Sequence, residues 1–164
     1  MSITIVGLGP GNPACLTMEA WQVLQGAEEV YLRTARHPTV ASLPAHLVLH
    51  SFDHLYEEHD DFAAVYEDIA AQVLVLGRRP QGVIYAVPGH PLVGEISVQR
   101  ILTLAAEEGL EIRLVEGLSF IEPVLTCLGL DALDGLQIAD ATELAARHHP
   151  PLNPDIPALV GQLY

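Results

Sequence analysis

Three short stretches carry the residues best suited to hold a ligand: Gly7-Leu8-Gly9-Pro10-Gly11-Asn12-Pro13, Pro88-Gly89-His90-Pro91 and Glu116-Gly117-Leu118-Ser119-Phe120. Glycines in such loops let backbone approach a ligand closely and take positive φ. Phosphate binding is the first chemistry a glycine loop suggests, but the residues exclude a Walker-type site. No Gly-Lys-Ser/Thr follows, and all seven basic residues are Arg. The spacing Gly7-x-Gly9-x-Gly11 also lacks the third glycine of the dinucleotide fingerprint.

Other side chains offer less. His46, His50, His54 and His59 fall beside Glu57, Glu58, Asp60 and Asp61, but without a His-Glu-x-x-His spacing, and we expect a solvated acidic segment rather than a metal site. Cys15 has no assigned His partner, so it reads as a small loop residue. Ser119 lacks the second glycine of a nucleophile elbow and suits a ligand-contacting hydroxyl. Arg33 and Arg36 are scarce cations that could hold an anionic substrate, with a surface ion pair the blander alternative. No catalytic residue is assigned.

The elements that must position these loops follow from apolar periodicity. Short β-rich runs at Ser2–Val6, Glu29–Leu32, Leu47–Phe52, Gly82–Val87 and Glu111–Val115 read as five strands. Thr17 caps a helix over Met18–Gln25, and Asp60-Asp61 opens a long one with Phe62, Val65, Ile69, Val73 and Leu76 on one face. Helices over Val93–Ala106 and from the Ser119 loop to Cys127 follow the last two strands. This alternation predicts an α/β fold, with a parallel-rich five-stranded sheet flanked by helices on both faces. In such a sheet ligands bind beyond the carboxyl ends of the strands, where the three loops converge. Beyond Gly129 the pattern breaks into short pieces and a Pro-rich linker. A final strand over Ala158–Tyr164 needs a partner, which we expect to lie outside the chain.

Composition bounds the function. The chain has 164 residues, half of them apolar, and a formal net charge of −14. That charge argues against non-specific binding to nucleic acid or an anionic membrane surface. Two cysteines make no disulfide framework, no apolar run reaches the roughly 20 residues of a membrane span, and the start lacks a basic secretory n-region. A cytoplasmic location is the expectation.

Taken together, the loops resemble the tetrapyrrole (corrin/porphyrin) methylases. Val6-Gly7-Leu8-Gly9-Pro10-Gly11 followed by Leu16-Thr17 is similar to that family's first motif. Pro88-Gly89-His90-Pro91-Leu92-Val93 stands where the family usually has Gly-Asp-Pro, and Val115-Glu116-Gly117-Leu118-Ser119-Phe120 resembles its third motif. The phrases Tyr-Ala-Val-Pro-Gly-His-Pro-Leu-Val and Gly-Leu-Ser-Phe-Ile look like the branch found in front of MazG-type nucleotide pyrophosphohydrolases.

The resemblance implies a methyltransferase using S-adenosylmethionine, held between an N-terminal α/β domain, residues 1–116, and the start of a second α/β domain, residues 117–164. Carried over by position, Pro10, Pro88, Gly89, His90, Val93, Ser119 and Phe120 would contact the cofactor, and Leu163, in the last strand, would meet the adenosine. It implies a small-molecule acceptor and a homodimer. The alternative it carries is a non-catalytic regulatory or dimerisation domain fused to a MazG-type enzyme. The MazG metal motif Glu-Glu-x-x-Glu is not reproduced by Glu57-Glu58-His59-Asp60-Asp61. The −14 charge also suits the polyanionic tetrapyrroles poorly.

Overall fold

A computed structural model describes residues 1–163 and divides the chain into two compact units, Met1–Ser119 and Phe120–Tyr164. The first unit is built on strands β1 (Ser2–Gly7), β2 (Glu29–Leu32), β3 (Val48–Ser51), β4 (Val83–Val87) and β5 (Glu111–Val115). They form one sheet in the order β3-β2-β4-β1-β5, with every pairing parallel. The central strands β1 and β4 are rich in buried apolar residues because both faces are covered, as parallel sheets require.

Period-two alternation sorts these side chains to two cores. Ile3, Ile5, Val83, Tyr85 and Val87 face a core completed by helices α2 (Leu55–Glu58), α3 (Phe62–Gly77) and α4 (Ile96–Glu108). Val6, Val30, Leu32 and Ala86 face the other, with Ala20 and Leu24 of α1 (Met18–Gln25) and Val40 and Leu43 of the segment after β2. Helix α1 starts and stops as its sequence dictates. The Thr17 hydroxyl accepts from Ala20 N at 3.1 Å, and Gly26 closes the last turn. In α3, Asp61 caps the first turn by accepting from Ala63 N at 3.2 Å, and Val65, Ile69 and Val73 are buried. Phe62 is not part of that core. It is 58% exposed and stacks its ring near Tyr56 and Tyr66 instead.

Three expectations need correction. The fourth helix begins at Ile96, not Val93, because Gly94 sits at φ +70°, a left-handed conformation that breaks the helical path. Val93 is therefore a loop residue. The last strand is β7 (Ala158–Gly161), so Leu163 lies beyond it, and Tyr164 is outside the described residues. Its partner is within the chain. Strand β6 (Gln137–Asp140) pairs with β7 in parallel, from Gln137 opposite Ala158 to Asp140 opposite Gly161.

The second unit holds α5 (Ile121–Leu128), β6, α6 (Ala141–Ala145) and β7. Asp140 ends β6 and caps α6 in one step, accepting from Thr142 N at 2.8 Å and Glu143 N at 3.2 Å. No helix among the described residues is long and apolar enough to cross a membrane.

Candidate functional site

The connections after β1 and β2 leave on one face of the sheet, and those after β3 and β4 on the other. In the order β3-β2-β4-β1-β5, neighbouring chain paths therefore part at three places, between β4 and β1, between β2 and β4, and between β2 and the outer strand β3. Such parting points at carboxyl ends make crevices for ligands.

At the first crevice the loops after β1, β4 and β5 meet through their glycines. Gly89 N donates to Gly9 O at 2.8 Å and Gly9 N donates to Gly89 O at 3.2 Å, a small antiparallel bridge that locks two loops together. Gly7 and Gly117 lie so close that neither tolerates a side chain. A Cβ on Gly7 would stand 2.6 Å from Gly89 O and 2.7 Å from Gly117 N, and one on Gly117 would collide with Gly89 O. The Thr17 hydroxyl donates to Glu116 O at 3.0 Å, tying the cap of α1 to the loop after β5. Above Gly89, at φ +66°, the space is open: a Cβ there would come no closer than 4.0 Å to Leu118 O and the Ser119 Cα.

The residues named from sequence fall into two groups. Pro10, Pro88, Gly89, His90 and Val93 are half-buried on the joined loops, and Ser119 is 2% exposed at the end of the third. His90 shapes its own turn. Its Nδ1 accepts from Leu92 N at 3.0 Å, while its carbonyl accepts from Val93 N at 3.0 Å. An aspartate can make the same local bond two residues on, so the imidazole fills a role open to either side chain. Phe120 and Leu163 belong to the second unit. There the Phe120 ring packs on the backbone of Gly161, and Leu163 is exposed.

The second crevice holds Arg33, named from sequence, and Glu95, which sequence reasoning missed. Arg33 follows β2, its backbone amide bonded to Ala86 O at 2.9 Å, and its Nε lies 3.3 Å from Oε1 of Glu95. Glu95 is buried, which pushes its pKa up to about 7 although Arg33 opposes the shift. Burial also pushes the Tyr56 hydroxyl up to about 12, against the pull of Arg33. Tyr85, wholly buried, exchanges a 2.9 Å hydrogen bond with Ser97. His37 is held below its usual pKa by burial and by the Arg33 charge, with the Gly9 carbonyl pulling the other way. Asp53 fixes the loop after Arg33, accepting from Thr34 Oγ1 at 2.6 Å, Ala35 N at 2.8 Å and Ser51 Oγ at 3.0 Å. One sequence signal was available: Glu95 is the sole carboxylate between Asp68 and Glu107.

The histidine-rich segment is dispersed. His46 meets Ala27 O, His50 meets Glu29 and stacks on Tyr31, and His59 bonds Asp68. Among the described residues no three His, Cys, Asp or Glu side chains gather as metal ligands. A cavity of about 660 Å³ is lined by Glu29, Val48, Arg79 and Val83 at the amino ends of the strands, the edge away from the loops.

Comparison with known proteins places this geometry. The family model of the tetrapyrrole (corrin/porphyrin) methylases matches residues 2–160. The uncharacterized protein YabN of Bacillus subtilis is 39% identical over 153 residues, covering 90% of this chain and 31% of its own length. A methyltransferase/ribosomally synthesized type I borosin cyclic peptide precursor, sveMA of Serendipita vermifera subsp. bescii, is 31% identical over 93% of this chain and 38% of its own. The chain thus spans about a third of the length of these relatives. Among solved structures, uroporphyrin-III-C-methyltransferase from Thermus thermophilus superposes with a TM-score of 0.62 at 24% identity, over 92% of this chain and 62% of that one. The Thermus thermophilus enzyme complexed with S-adenosylhomocysteine gives 0.58 at 23% identity, over 85% of this chain and 55% of that one. At these identities the structures speak for the fold.

Proposed function

The chain belongs to the tetrapyrrole (corrin/porphyrin) methylase family, and from that premise we propose that it is an S-adenosylmethionine-dependent methyltransferase domain acting on a small-molecule acceptor. The observation that carries the reading is the junction of Gly7, Gly9, Gly89 and Gly117. Three separate loops converge at one sheet edge, and the open space lies over Gly89.

The junction fits the cofactor. A nucleoside with an amino-acid tail is held by backbone amides and carbonyls and by apolar walls, and that is what these loops present. Pro10, Pro88, Gly89, His90, Val93 and Ser119, all of the first unit, would hold it. When bound, the group supplies a methyl on a sulfonium, already a good leaving group. The protein's task is then alignment and exclusion of water rather than acid–base work on the cofactor. Close backbone packing at Gly7 and Gly117 makes the loop edge stiff, and the His90 turn fixes the direction in which the loop after β4 leaves it.

Photocrosslinking with radiolabelled S-adenosylmethionine, followed by peptide mapping, tests the assignment. We expect label on the peptide spanning Pro88–Val93. Label confined to other peptides, or none that competes with S-adenosylhomocysteine, contradicts it.

A second reading draws on His90, which stands where the family resemblance leads one to expect Asp. It makes the chain a methylase-like regulatory or dimerising domain of a MazG-type nucleotide pyrophosphohydrolase. The retained turn at His90 weighs against that reading. Under it, His90→Asp gains cofactor binding that the native chain lacks.

A further inference from the structure

Each of the seven arginines lies 2.6–3.8 Å from a carboxylate, but Arg33 differs from the rest. In the other six pairs both side chains are at least 28% exposed, whereas Glu95 is 5% exposed and Arg33 22%. Buried ion pairs hold only when their donors and acceptors are saturated. This one is not: Arg33 Nε and Glu95 Oε2 are both buried without a hydrogen bond. The remaining bond from Arg33, NH1 to the Tyr56 hydroxyl, is 3.5 Å long, at the limit for such a contact. Buried polar atoms left unsatisfied in a folded protein call for a reason. An under-bonded, partly exposed guanidinium at the carboxyl edge of the sheet is poised for a different partner.

We propose that Arg33 is the anion-binding residue of an acceptor subsite at the β2–β4 crevice, and that Glu95 is the internal counter-ion it exchanges. An incoming carboxylate or oxyanion pairs with the guanidinium, and Glu95 takes up one proton from solvent, so the net charge of the buried site is unchanged. Were Glu95 to stay ionised after losing Arg33, it would be a bare charge in the interior, which burial forbids. The groups around it set the ease of exchange: Arg33 after β2, Tyr56 on α2, Tyr66 on α3, Tyr85 on β4 and Ser97 on α4, with His37 behind Arg33. Burial pushes the Tyr56 and Tyr85 hydroxyls above the ordinary tyrosine value, so neither competes as an anion for Arg33 near pH 7. Because Glu95 titrates at about 7, neutralising it costs little at that pH. That the anion belongs to a methyl acceptor rests on the proposed function, whereas the anion site itself does not.

Nuclear magnetic resonance on the full 164-residue chain tests the exchange by titrating the Arg33 Nε–Hε signal, identified by its loss in Arg33→Gln. Acetate and sulfate serve as probes because neither changes charge between pH 6 and 8. In the native chain binding should weaken about tenfold from pH 6 to pH 8 as Glu95 ionises. Glu95→Gln should bind independently of pH, about tenfold tighter than the native chain at pH 8. Arg33→Gln and the charge-balanced Arg33→Gln/Glu95→Gln double variant, folded by circular dichroism, should bind neither probe. A stronger response to acetate identifies a carboxylate acceptor, and a stronger response to sulfate a phosphate-like one. Affinity flat with pH in the native chain, binding that survives in the double variant, or no response at 100 mM of either probe (about the weakest affinity worth calling a site) overturns the proposal. Parallel titrations with S-adenosylhomocysteine keep the two readings apart. Anion binding without cofactor binding refutes the methyltransferase reading alone, and the reverse refutes the subsite alone.

Discussion

At position 90 an imidazole nitrogen accepts the Leu92 amide at 3.0 Å, and that bond, with the one from Val93 N to the His90 carbonyl, holds the turn between β4 and α4. A side chain-to-backbone hydrogen bond of this kind contributes about 1 kcal/mol. His90→Ala should therefore weaken S-adenosylhomocysteine binding about fivefold, whereas His90→Asp, which rebuilds the turn, should stay within about twofold. Equilibrium dialysis of the two variants decides it, and equal losses in both would show that the ring itself is what matters. Glu95 makes a prediction of opposite character. Its folded pKa of about 7 stands above the ordinary value of 4.5, so the folded state keeps a proton that the unfolded chain has released. The stability this confers is complete below pH 4.5 and is lost as pH rises to 7, amounting to about 3 kcal/mol. Urea midpoints at pH 5 and pH 8 should thus differ more in the native chain than in Glu95→Gln. A larger slope in the variant would reverse the sign and the argument.

The elements show what their residues could and could not announce. Strands β2 and β5 and helix α1 begin and end where the apolar alternation of Val30 and Leu32 and of Ile112 and Leu114, the Thr17 cap and Gly26 put them. The start of α4 was not legible because it depends on the backbone angle of Gly94, and a glycine permits several. Strand β6 was not legible because four residues with one β-branched side chain, Ile138, carry no period, and only the pairing with β7 makes them a strand. The loops of the candidate site were legible as glycine and proline clusters after strands. Arg33 was in view but Glu95 was not, since 62 positions separate them and only the β2–β4 neighbourhood joins them. At this scale the tightest prediction concerns Gly117. A methyl group there meets Gly89 O and lies 2.8 Å from the Gly7 carbonyl carbon, all backbone that cannot step aside. Gly117→Ala should cost about 1–3 kcal/mol in urea unfolding and pull the loops apart. Asp61→Ala, which only uncaps α3, should cost about 1 kcal/mol and leave cofactor affinity unchanged.

Over the whole molecule, the buried residues lie in the first unit, while the described part of the second has none. Two strands and short helices of that kind are marginal alone. A chain ending at Ser119 should therefore keep a cooperative thermal transition, and residues 120–164 alone should show none by circular dichroism. The −14 charge bears on function more than on fold. It makes a general attraction for anions unlike the local one at Arg33, and any anionic acceptor must be drawn in by that site against the field of the surface. The central claim is that the glycine junction is a cofactor seat, and calorimetry with S-adenosylhomocysteine on the native chain and on Gly89→Val tests it most directly. A Cβ at Gly89 meets nothing nearer than 4.0 Å, and φ +66° strains any side chain by about 1–2 kcal/mol, a β-branched one more, so folding of the variant is checked first by circular dichroism. Saturable binding with one site per chain in the native protein, weakened at least about tenfold in Gly89→Val, is the predicted result. No heat of binding at millimolar ligand, or equal affinity in the two proteins, would contradict it.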